Sequence, residues 1–154
     1  MRDPIRATTD EARNLALRIL AEARHGALGT LDPATGHPVV SRVAVGDAGG
    51  PVVLVSSLAA HARALLADPR CSLLLGEPGP GDPLAHPRLT LIGRAEPAEK
   101  AALRDAWLAA HPKAALYLDF ADFAFLRLRV EAGHLNGGFG RAFRLGPEDL
   151  RAPA

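Results

Sequence analysis

The sequence is poor in several kinds of residue, and each shortage excludes a class of protein. Cys71 is the single cysteine, so the chain can form neither an intrachain disulfide nor a cysteine metal cluster. Aromatic residues make up 5% of the chain and there is no run of basic residues, which argues against nucleic-acid binding. No apolar stretch reaches the roughly 18 residues that a membrane helix needs. The opening segment MRDPIRATTDEAR carries both signs of charge, unlike a signal or transit peptide, so we expect a cytoplasmic protein without a membrane partner.

What remains is the composition of one folded domain. The 154 residues are 48% hydrophobic and 23% charged, with a net charge of +1, which is ordinary for a globular domain with one core. We predict a single domain over residues 1–154, with residues 1–10 as a flexible N-terminal arm. Lysine occurs only at Lys100 and Lys113, so nearly all cations are guanidinium groups, which suit carboxylates and phosphates as bidentate donors.

Helical periodicity appears in three segments. The first, TTDEARNLALRILAEAR, opens with Thr8 and Glu11 in the spacing of a capping box. The second, SLAAHARALLADPR, is predicted to become helical directly after a pair of serines and to end at Asp68-Pro69. The third runs over residues 96–110, with a proline near its first turn.

Short β-like runs separated by strong turn signals fill the rest of the chain. Turns such as DPATGHP and DAGGP, at short intervals, predict antiparallel hairpins rather than parallel strands with helical crossovers. With at least six strands, a mainly β (α+β) fold built as a small antiparallel barrel with flanking helices is favoured, because closing the sheet removes exposed edges. A sandwich and an open α+β sheet are alternatives that the pattern leaves open.

The stretch GHLNGGFGRAF is glycine-rich but matches neither well-known phosphate motif. It lacks the Lys-Ser/Thr pair of a P-loop and the spacing of a dinucleotide fingerprint. One interpretation is a bend or bulge that only glycine permits at the end of the last strand. The other is that Asn136 and Arg141 face a ligand beside this bend.

A better candidate for anion binding is VSSLAAHAR, where a strand leads into a helix. Ser56 and Ser57 lie at the helix N-terminus and His61 and Arg63 in its first turns, a setting in which unpaired N–H groups hold anions. The alternative is that a serine merely caps the helix while the basic side chains face water. Two arginines at strand positions are equally ambiguous between solvent and an anion, namely Arg42 and Arg88.

Catalytic side-chain sets are absent from the sequence. It contains no GxSxG elbow, no HExxH motif and no histidines grouped with metal spacing, so we expect no protein-ligated metal site. No general acid or base can be named. An enzyme of this composition would take its reactivity from a cofactor.

Several blocks together resemble one known family. VSSLAAHARALLADPRCSLLL and GHLNGGFGRAF, with GHPVVSRVAV and YLDFADFAFLRLRV, are similar to those of the pyridoxamine 5′-phosphate oxidase-like, FMN-binding split-barrel proteins, and within them the haem-utilisation branch. The resemblance extends from about Ala12 to Leu145. It implies a six-stranded antiparallel split β-barrel, paired as a homodimer with a small-molecule cofactor at the subunit interface.

The resemblance also implies which residues bind the cofactor. In such proteins the FMN phosphate is held by an arginine on the second strand, hydroxyls at the end of the third, and a basic residue in the following helix. These roles fall on Arg42, Ser56, Ser57, His61 and Arg63, to which we add Arg88, Asn136 and Arg141 as further candidates.

The function implied is that of an FMN-binding, flavin-dependent oxidoreductase, although the sequence departs from the family in three places. The oxidase has a lysine- and arginine-rich helix start where this chain has AAHAR. The C-terminal R-x-H substrate pattern of the oxidase is missing, and no histidine follows His134 to match the iron ligand of haem-degrading relatives. Two alternatives are therefore kept: a haem-binding or haem-degrading protein, and a protein that sequesters flavin or haem without turnover.

Overall fold

The computed structural model describes residues 3–151. Its strands and helices, in chain order, are β1 (Ile5–Arg6), α1 (Asp10–Glu22), β2 (His25–Leu31), β3 (Pro38–Asp47), β4 (Pro51–Ser56), α2 (Ala60–Ala67), β5 (Arg70–Leu75), β6 (Arg88–Ala98), α3 (Lys100–Ala110), β7 (Phe123–Asn136) and β8 (Ala142–Leu145). Short 3₁₀ segments lie at Pro83–Ala85, Pro112–Leu116 and Pro147–Leu150.

Six strands form a closed antiparallel barrel. Neighbouring strands run in the order β7, β4, β3, β2, β5, β6, and β6 pairs again with β7 to complete the ring. The predicted six-stranded antiparallel barrel with flanking helices is thus confirmed, and the sandwich and the open sheet are excluded. Outside the ring, β8 pairs with the end of β7. β1, which lies in the segment predicted as an N-terminal arm, runs parallel to β8, with Ile5 opposite Ala142.

The ring closes where β6 meets β7, and a glycine permits the closure. This ladder runs from Arg88 opposite Asn136 to Ala98 opposite Phe125, with a register shift at Gly93. A Cβ atom added at Gly93 would lie 2.0 Å from the backbone oxygen of Arg129, far inside any real contact. The close approach of the two backbones therefore requires the residue without a side chain.

Inward-facing residues of the strands form the main core together with one face of α1. Alternate residues of β2 and β5 are buried, as a two-residue side-chain period demands. The core members include Ala16 and Leu20 from α1, Leu28 from β2, Val43 and Val45 from β3, Val53 and Val55 from β4, Leu73 and Leu75 from β5, and Leu89 and Leu91 from β6.

A second, smaller core lies on the outer side of the barrel under α3. Trp107 is buried there, with its ring 5.0 Å from that of Phe125 in an edge-on arrangement and 4.1 Å from that of His111, which it stacks on. Val52 and Leu54 of β4 complete the contact. The outer faces of β4 and of the first part of β7 are therefore covered by a helix.

Two helices begin later than their sequences predicted. α2 begins at Ala60, because the residues after β4 first form a turn held by hydrogen bonds from Ser57 and Leu58. α3 begins at Lys100 rather than at residue 96, because β6 continues through Ala98. Pro97 lies in that strand opposite Leu126, so it is a strand-end residue and not part of a first helical turn.

The cap of α1 is also one residue away from its predicted position. Thr9, not Thr8, is the N-cap, and its side chain accepts the N–H of Ala12 at 3.1 Å. Thr8 instead donates its hydroxyl proton to the backbone oxygen of Arg144, which fastens the N-terminal segment to β8. Within the described part of the chain, no helix has the length and apolarity needed to span a bilayer.

Candidate functional site

The register of the barrel places Arg42 and Ser56 on one row of its outer surface. Val43 and Val45 face the core, so Arg42, between inward positions, faces out and is exposed. Ala44 pairs with Leu54, and the same register continued by two residues sets Arg42 opposite Ser56. The ambiguity in the sequence is thereby resolved: Arg42 points away from the core, beside the turn that leads into α2.

Hydrogen bonds to Asp122 occupy this turn. The hydroxyl of Ser56 donates to Oδ2 of Asp122 at 2.7 Å, and the backbone N–H of Ser57 donates to the backbone oxygen of Asp122 at 2.7 Å. The N–H of Leu58 donates back to the hydroxyl oxygen of Ser56 at 3.2 Å. Neither serine is the N-cap of α2, which is Ala59 without a side-chain bond. The hydroxyl of Ser56 and both N–H groups therefore already have partners.

The loop that presents Asp122 is itself fixed. The ammonium group of Lys100 donates to the backbone oxygens of Phe120 and Phe123, at 3.0 and 2.8 Å. The N–H of Phe123 also donates to the oxygen of Phe120 at 3.1 Å, closing a turn around Asp122. The carboxylate is thus held in place against β4 by bonds on both sides of it.

The two basic residues of α2 differ in environment. His61 is half-buried, its Nδ1 atom lies 3.2 Å from the hydroxyl oxygen of Ser41, and burial lowers its pKa below the ordinary value. Without a bound anion, this lowered pKa favours the neutral imidazole. Arg63 is exposed, and within residues 3–151 neither it nor Arg42 forms an ion pair.

Next to Arg42, the outer surface of β2 forms a shallow apolar trough, which we call the open face. Its floor consists of Ala27 and Gly29, whose small side chains leave room. Its walls are Val40 of β3 and Leu74 of β5, which are 69% and 43% exposed. One row of paired residues crosses β3, β2 and β5 and consists of Arg42, Ala27 and Leu74.

A histidine and a glutamate stand at one end of the open face. Nε2 of His25 lies 3.1 Å from Oε2 of Glu77, and both side chains are largely exposed. The cavity at this end has a volume of about 350 Å³, and its lining includes His25, Ala27, Val40, Arg42, Leu74 and Glu77. An imidazole and a guanidinium therefore border the same apolar depression.

The remaining three candidate residues lie apart from the turn after β4, and they are Arg88, Asn136 and Arg141. Arg88 pairs with Asn136 across β6 and β7, and its guanidinium donates to the backbone oxygens of Leu84 and His86, at 3.0 and 3.3 Å. Arg141 forms an ion pair with Glu11 at 3.1 Å. Because β2 and β5 separate β3 from β6 on one side of the ring, and β4 and β7 on the other, Arg42 and Arg88 lie on opposite sides of the barrel. One protomer does not bring these three residues to the turn after β4.

The segment GHLNGGFGRAF forms a bend between β7 and β8. The side chain of Asn136 accepts the N–H of Gly138 at 3.0 Å. Gly138 and Gly140 have φ angles of 115° and 70°, in the region that favours glycine. A Cβ atom at Gly138 would also lie 3.0 Å from the backbone oxygen of Ala85. The glycines permit a tight turn against the loop before β6.

Sequence reasoning missed two acidic residues of the site. Asp122 and Glu77 sit in irregular segments, and nothing in their local sequence indicates that they contact Ser56 and His25. The single thiol plays no part here, since burial of Cys71 in the core raises its pKa to about 11. Among residues 3–151, no three His, Cys, Asp or Glu side chains group closely enough to hold a metal ion.

The closed six-stranded antiparallel ring, with α1 packed into its core and α3 on its outer side, is that of a split-barrel protein. The chain belongs to the pyridoxamine 5′-phosphate oxidase family, whose model matches residues 12–137. The family membership inferred from the motifs is confirmed.

Relatives named for haem are among the proteins most similar to this chain. The chloroplastic non-canonical heme oxygenase HOZ of Arabidopsis thaliana is 43% identical over 98 residues, which are 62% of this chain and 30% of the plant protein. A heme-binding protein from Mycobacterium smegmatis is 38% identical, with a TM-score of 0.84 over 93% of this chain and 60% of its own. Another solved structure is 50% identical, with a TM-score of 0.89 over 96% of this chain and all of its own. The chain thus spans less than two thirds of the length of both named relatives.

The turn after β4 leaves only part of the expected donor set free for the phosphate of FMN. The Ser56 hydroxyl and the N–H groups of Ser57 and Leu58 already have partners, and burial lowers the pKa of His61. The carboxylate of Asp122 adds a negative charge at the same place. The hydroxyl of Ser57 and the guanidinium groups of Arg42 and Arg63 are left to meet an anion.

Proposed function

We propose that the protein binds haem on the open face, between two copies of the chain. The observation that carries the proposal is the apolar trough of β2, bordered at once by the imidazole of His25 and the guanidinium of Arg42. A flat apolar ring with carboxylate substituents and a metal centre matches this combination of surfaces.

Each part of a haem finds a chemically suited group here. The small floor residues Ala27 and Gly29 admit a planar ring between Val40 and Leu74. Arg42 would pair with a propionate, for which a guanidinium is a bidentate donor. His25 would hold the iron, since Glu77 can accept one ring N–H and leave the other nitrogen as a ligand. Bound haem supplies an iron centre for oxygen or electron chemistry.

A second copy of the chain is the natural cover for this face. Val40 and Leu74 are large apolar side chains left exposed, and one protomer contacts only one side of a ring lying in the trough. Pairing about a two-fold axis would place the same face of each protomer against the other. We therefore propose a homodimer with the ligand at its interface, as the family resemblance also implies.

The named relatives support binding of haem more directly than its degradation. The mycobacterial relative is named for haem binding and the plant relative for haem oxygenation, but this chain spans only 60% and 30% of those proteins. We therefore limit the proposal to haem binding. Degradation of the bound haem is a further activity that a single-turnover assay with a reductant and oxygen would reveal.

A flavin is the second candidate ligand, and the exposure of three expected phosphate-binding groups supports it. Arg42, Arg63 and the hydroxyl of Ser57 are exposed around the turn after β4, and all three were expected to hold the FMN phosphate. In that case the protein would be a flavin-dependent oxidoreductase of its family, with hydride or electron transfer at the isoalloxazine ring.

Titrations of the purified protein with hemin and with FMN separate the two candidates. Haem binding predicts a saturable Soret band at micromolar hemin and, if His25 holds the iron, a shifted band in His25→Ala. His37→Ala is the matched control, because His37 is exposed in the turn between β2 and β3. Saturable binding of FMN without binding of hemin would replace the first candidate by the second. Binding of neither ligand would overturn both.

A further inference from the structure

We infer that Asp122 is a specificity-determining residue that excludes ligands carrying a phosphomonoester from the turn after β4. This inference deepens the proposed function, on which it rests, by naming what makes the protein choose a carboxylate-bearing ring over FMN. It follows from the contacts of Asp122 with Ser56 and Ser57 and from its charge.

The hydrogen-bond donors of the turn after β4 are already engaged. A serine hydroxyl has one proton to donate, and that of Ser56 is directed at Oδ2 of Asp122, 2.7 Å away. The N–H of Ser57 is bonded to the backbone oxygen of Asp122, and the N–H of Leu58 to the hydroxyl of Ser56. A phosphate could obtain these three donors only by breaking the bonds that hold the turn to the loop of Asp122.

The carboxylate of Asp122 would repel a phosphate bound at this turn. A phosphomonoester carries about −1.5 to −2 charges near pH 7. The carboxylate that receives the Ser56 proton would lie next to it, and two like charges at such a distance repel each other. A haem propionate carries a single negative charge, and the cavity that Arg42 and His25 border has neither Ser56 nor Asp122 in its lining.

The backbone on either side of Asp122 is fixed, because Lys100 donates to the backbone oxygens of Phe120 and Phe123. The carboxylate could turn away from the turn only by breaking its bond with the hydroxyl of Ser56. The ammonium of Lys100 is committed to those oxygens. The carboxylate of Asp122 therefore lies at the turn where the resemblance of the chain to its family implies a bound phosphate.

The test compares FMN with riboflavin, which differ only in the phosphate, by fluorescence titration of the wild-type protein, Asp122→Asn and Asp105→Asn. Asp105→Asn removes the same charge from an exposed position on α3 and is the matched control. We expect wild type and Asp105→Asn to bind FMN no more tightly than riboflavin. In Asp122→Asn, the loss of repulsion and the new amide donor should favour FMN over riboflavin by about tenfold or more.

The inference is overturned if the wild-type protein already prefers FMN over riboflavin tenfold. It is equally overturned if Asp122→Asn gains no preference, or binds no FMN at all, while retaining the wild-type circular dichroism spectrum. Asp122→Ala, which removes both the charge and the acceptor of Ser56, is the second variant should the asparagine variant fold poorly. Hemin titration of the same proteins tests the proposed function separately. If wild type does not bind hemin but Asp122→Asn gains the FMN preference, only the proposed function is contradicted. If wild type binds hemin but Asp122→Asn gains no FMN preference, only the role of Asp122 is contradicted.

Discussion

The Nδ1 atom of His61 lies 3.2 Å from the hydroxyl oxygen of Ser41, so the first turn of α2 is tied to the inward side of β3. The tautomer of the imidazole decides whether Nδ1 accepts the serine proton or donates its own proton to the serine oxygen. Burial of His61 lowers the pKa of the ring and so favours its neutral form. Protonation of His61 should therefore contribute to the pH dependence of the free energy of unfolding.

In the unfolded chain His61 titrates near its ordinary pKa of 6.5, and in the folded protein at a lower pH. Between those two values the unfolded state binds more protons, so the free energy of unfolding decreases as the pH falls below about 6.5. Melting temperatures from pH 7.5 to 5 should fall less steeply in His61→Gln than in wild type. His37→Gln, in an exposed turn, should follow the wild-type curve. Equal slopes in all three proteins would contradict the buried, neutral state of His61.

Gly93 should be irreplaceable where the barrel closes. An alanine there would bring its Cβ to 2.0 Å from a backbone oxygen of β7, so the two strands would have to separate. We expect Gly93→Ala to lower the free energy of unfolding by ~1–3 kcal/mol or more, the range for forced overpacking, in urea denaturation. Gly137→Ala is the control, since its added Cβ would meet neighbours at ordinary contact distances of 3.6 Å. A loss in Gly93→Ala no larger than in Gly137→Ala would show that the strands can adjust.

Arg42 and Arg141 should differ in their effect on ligand binding. Arg42 is unpaired among the described residues and borders the open face, whereas Arg141 is engaged with Glu11. Arg42→Ala should weaken hemin binding by ~1–3 kcal/mol through loss of a charge-assisted bond. Arg141→Ala should leave the hemin dissociation constant nearly unchanged. An equal loss in both variants, measured by Soret titration, would mean that the second group of residues reaches the ligand through the partner subunit.

Leu74 should mark the interface between two copies. It is 43% exposed on the open face, so a charge there would be buried against the partner in the proposed dimer. Leu74→Glu should shift the protein from dimer to monomer in light-scattering chromatography and weaken hemin binding with it. Leu66→Glu, which places the same charge at an 85% exposed position on α2, should remain dimeric. A dimeric Leu74→Glu protein would place the interface elsewhere.

The architecture was accessible from the sequence because its signals are local. The turns DPATGHP and DAGGP force hairpins, the alternation in HGALGTL marks one buried face, and the flanking helices carry their own periodicity. The start of α3 was misjudged because the pairing of Pro97 with Leu126, a contact across 29 positions of the chain, keeps that residue in a strand. No local pattern reports such a pairing.

The candidate site was only partly accessible for the same reason. The residue types around the turn after β4 indicate anion binding, but Asp122 is 66 positions from Ser56, and only the pairing of β4 with β7 brings them together. Likewise, the eight candidates look like one set in the sequence, and the strand order separates Arg88, Asn136 and Arg141 from the rest.

The pairing of the long strand β7 with three other strands affects how the protein unfolds. Its first residues pair with β4, its whole remaining length with β6, and its end with β8, so both of its edges are bonded along much of its course. Local fluctuations can release α2 or the turn at Gly138 without disturbing it. By contrast, residues 125–127 of this strand are flanked by β4 and β6 on both edges, so their amide protons should exchange with solvent only when the ring itself comes apart and should report global unfolding in a hydrogen-exchange experiment.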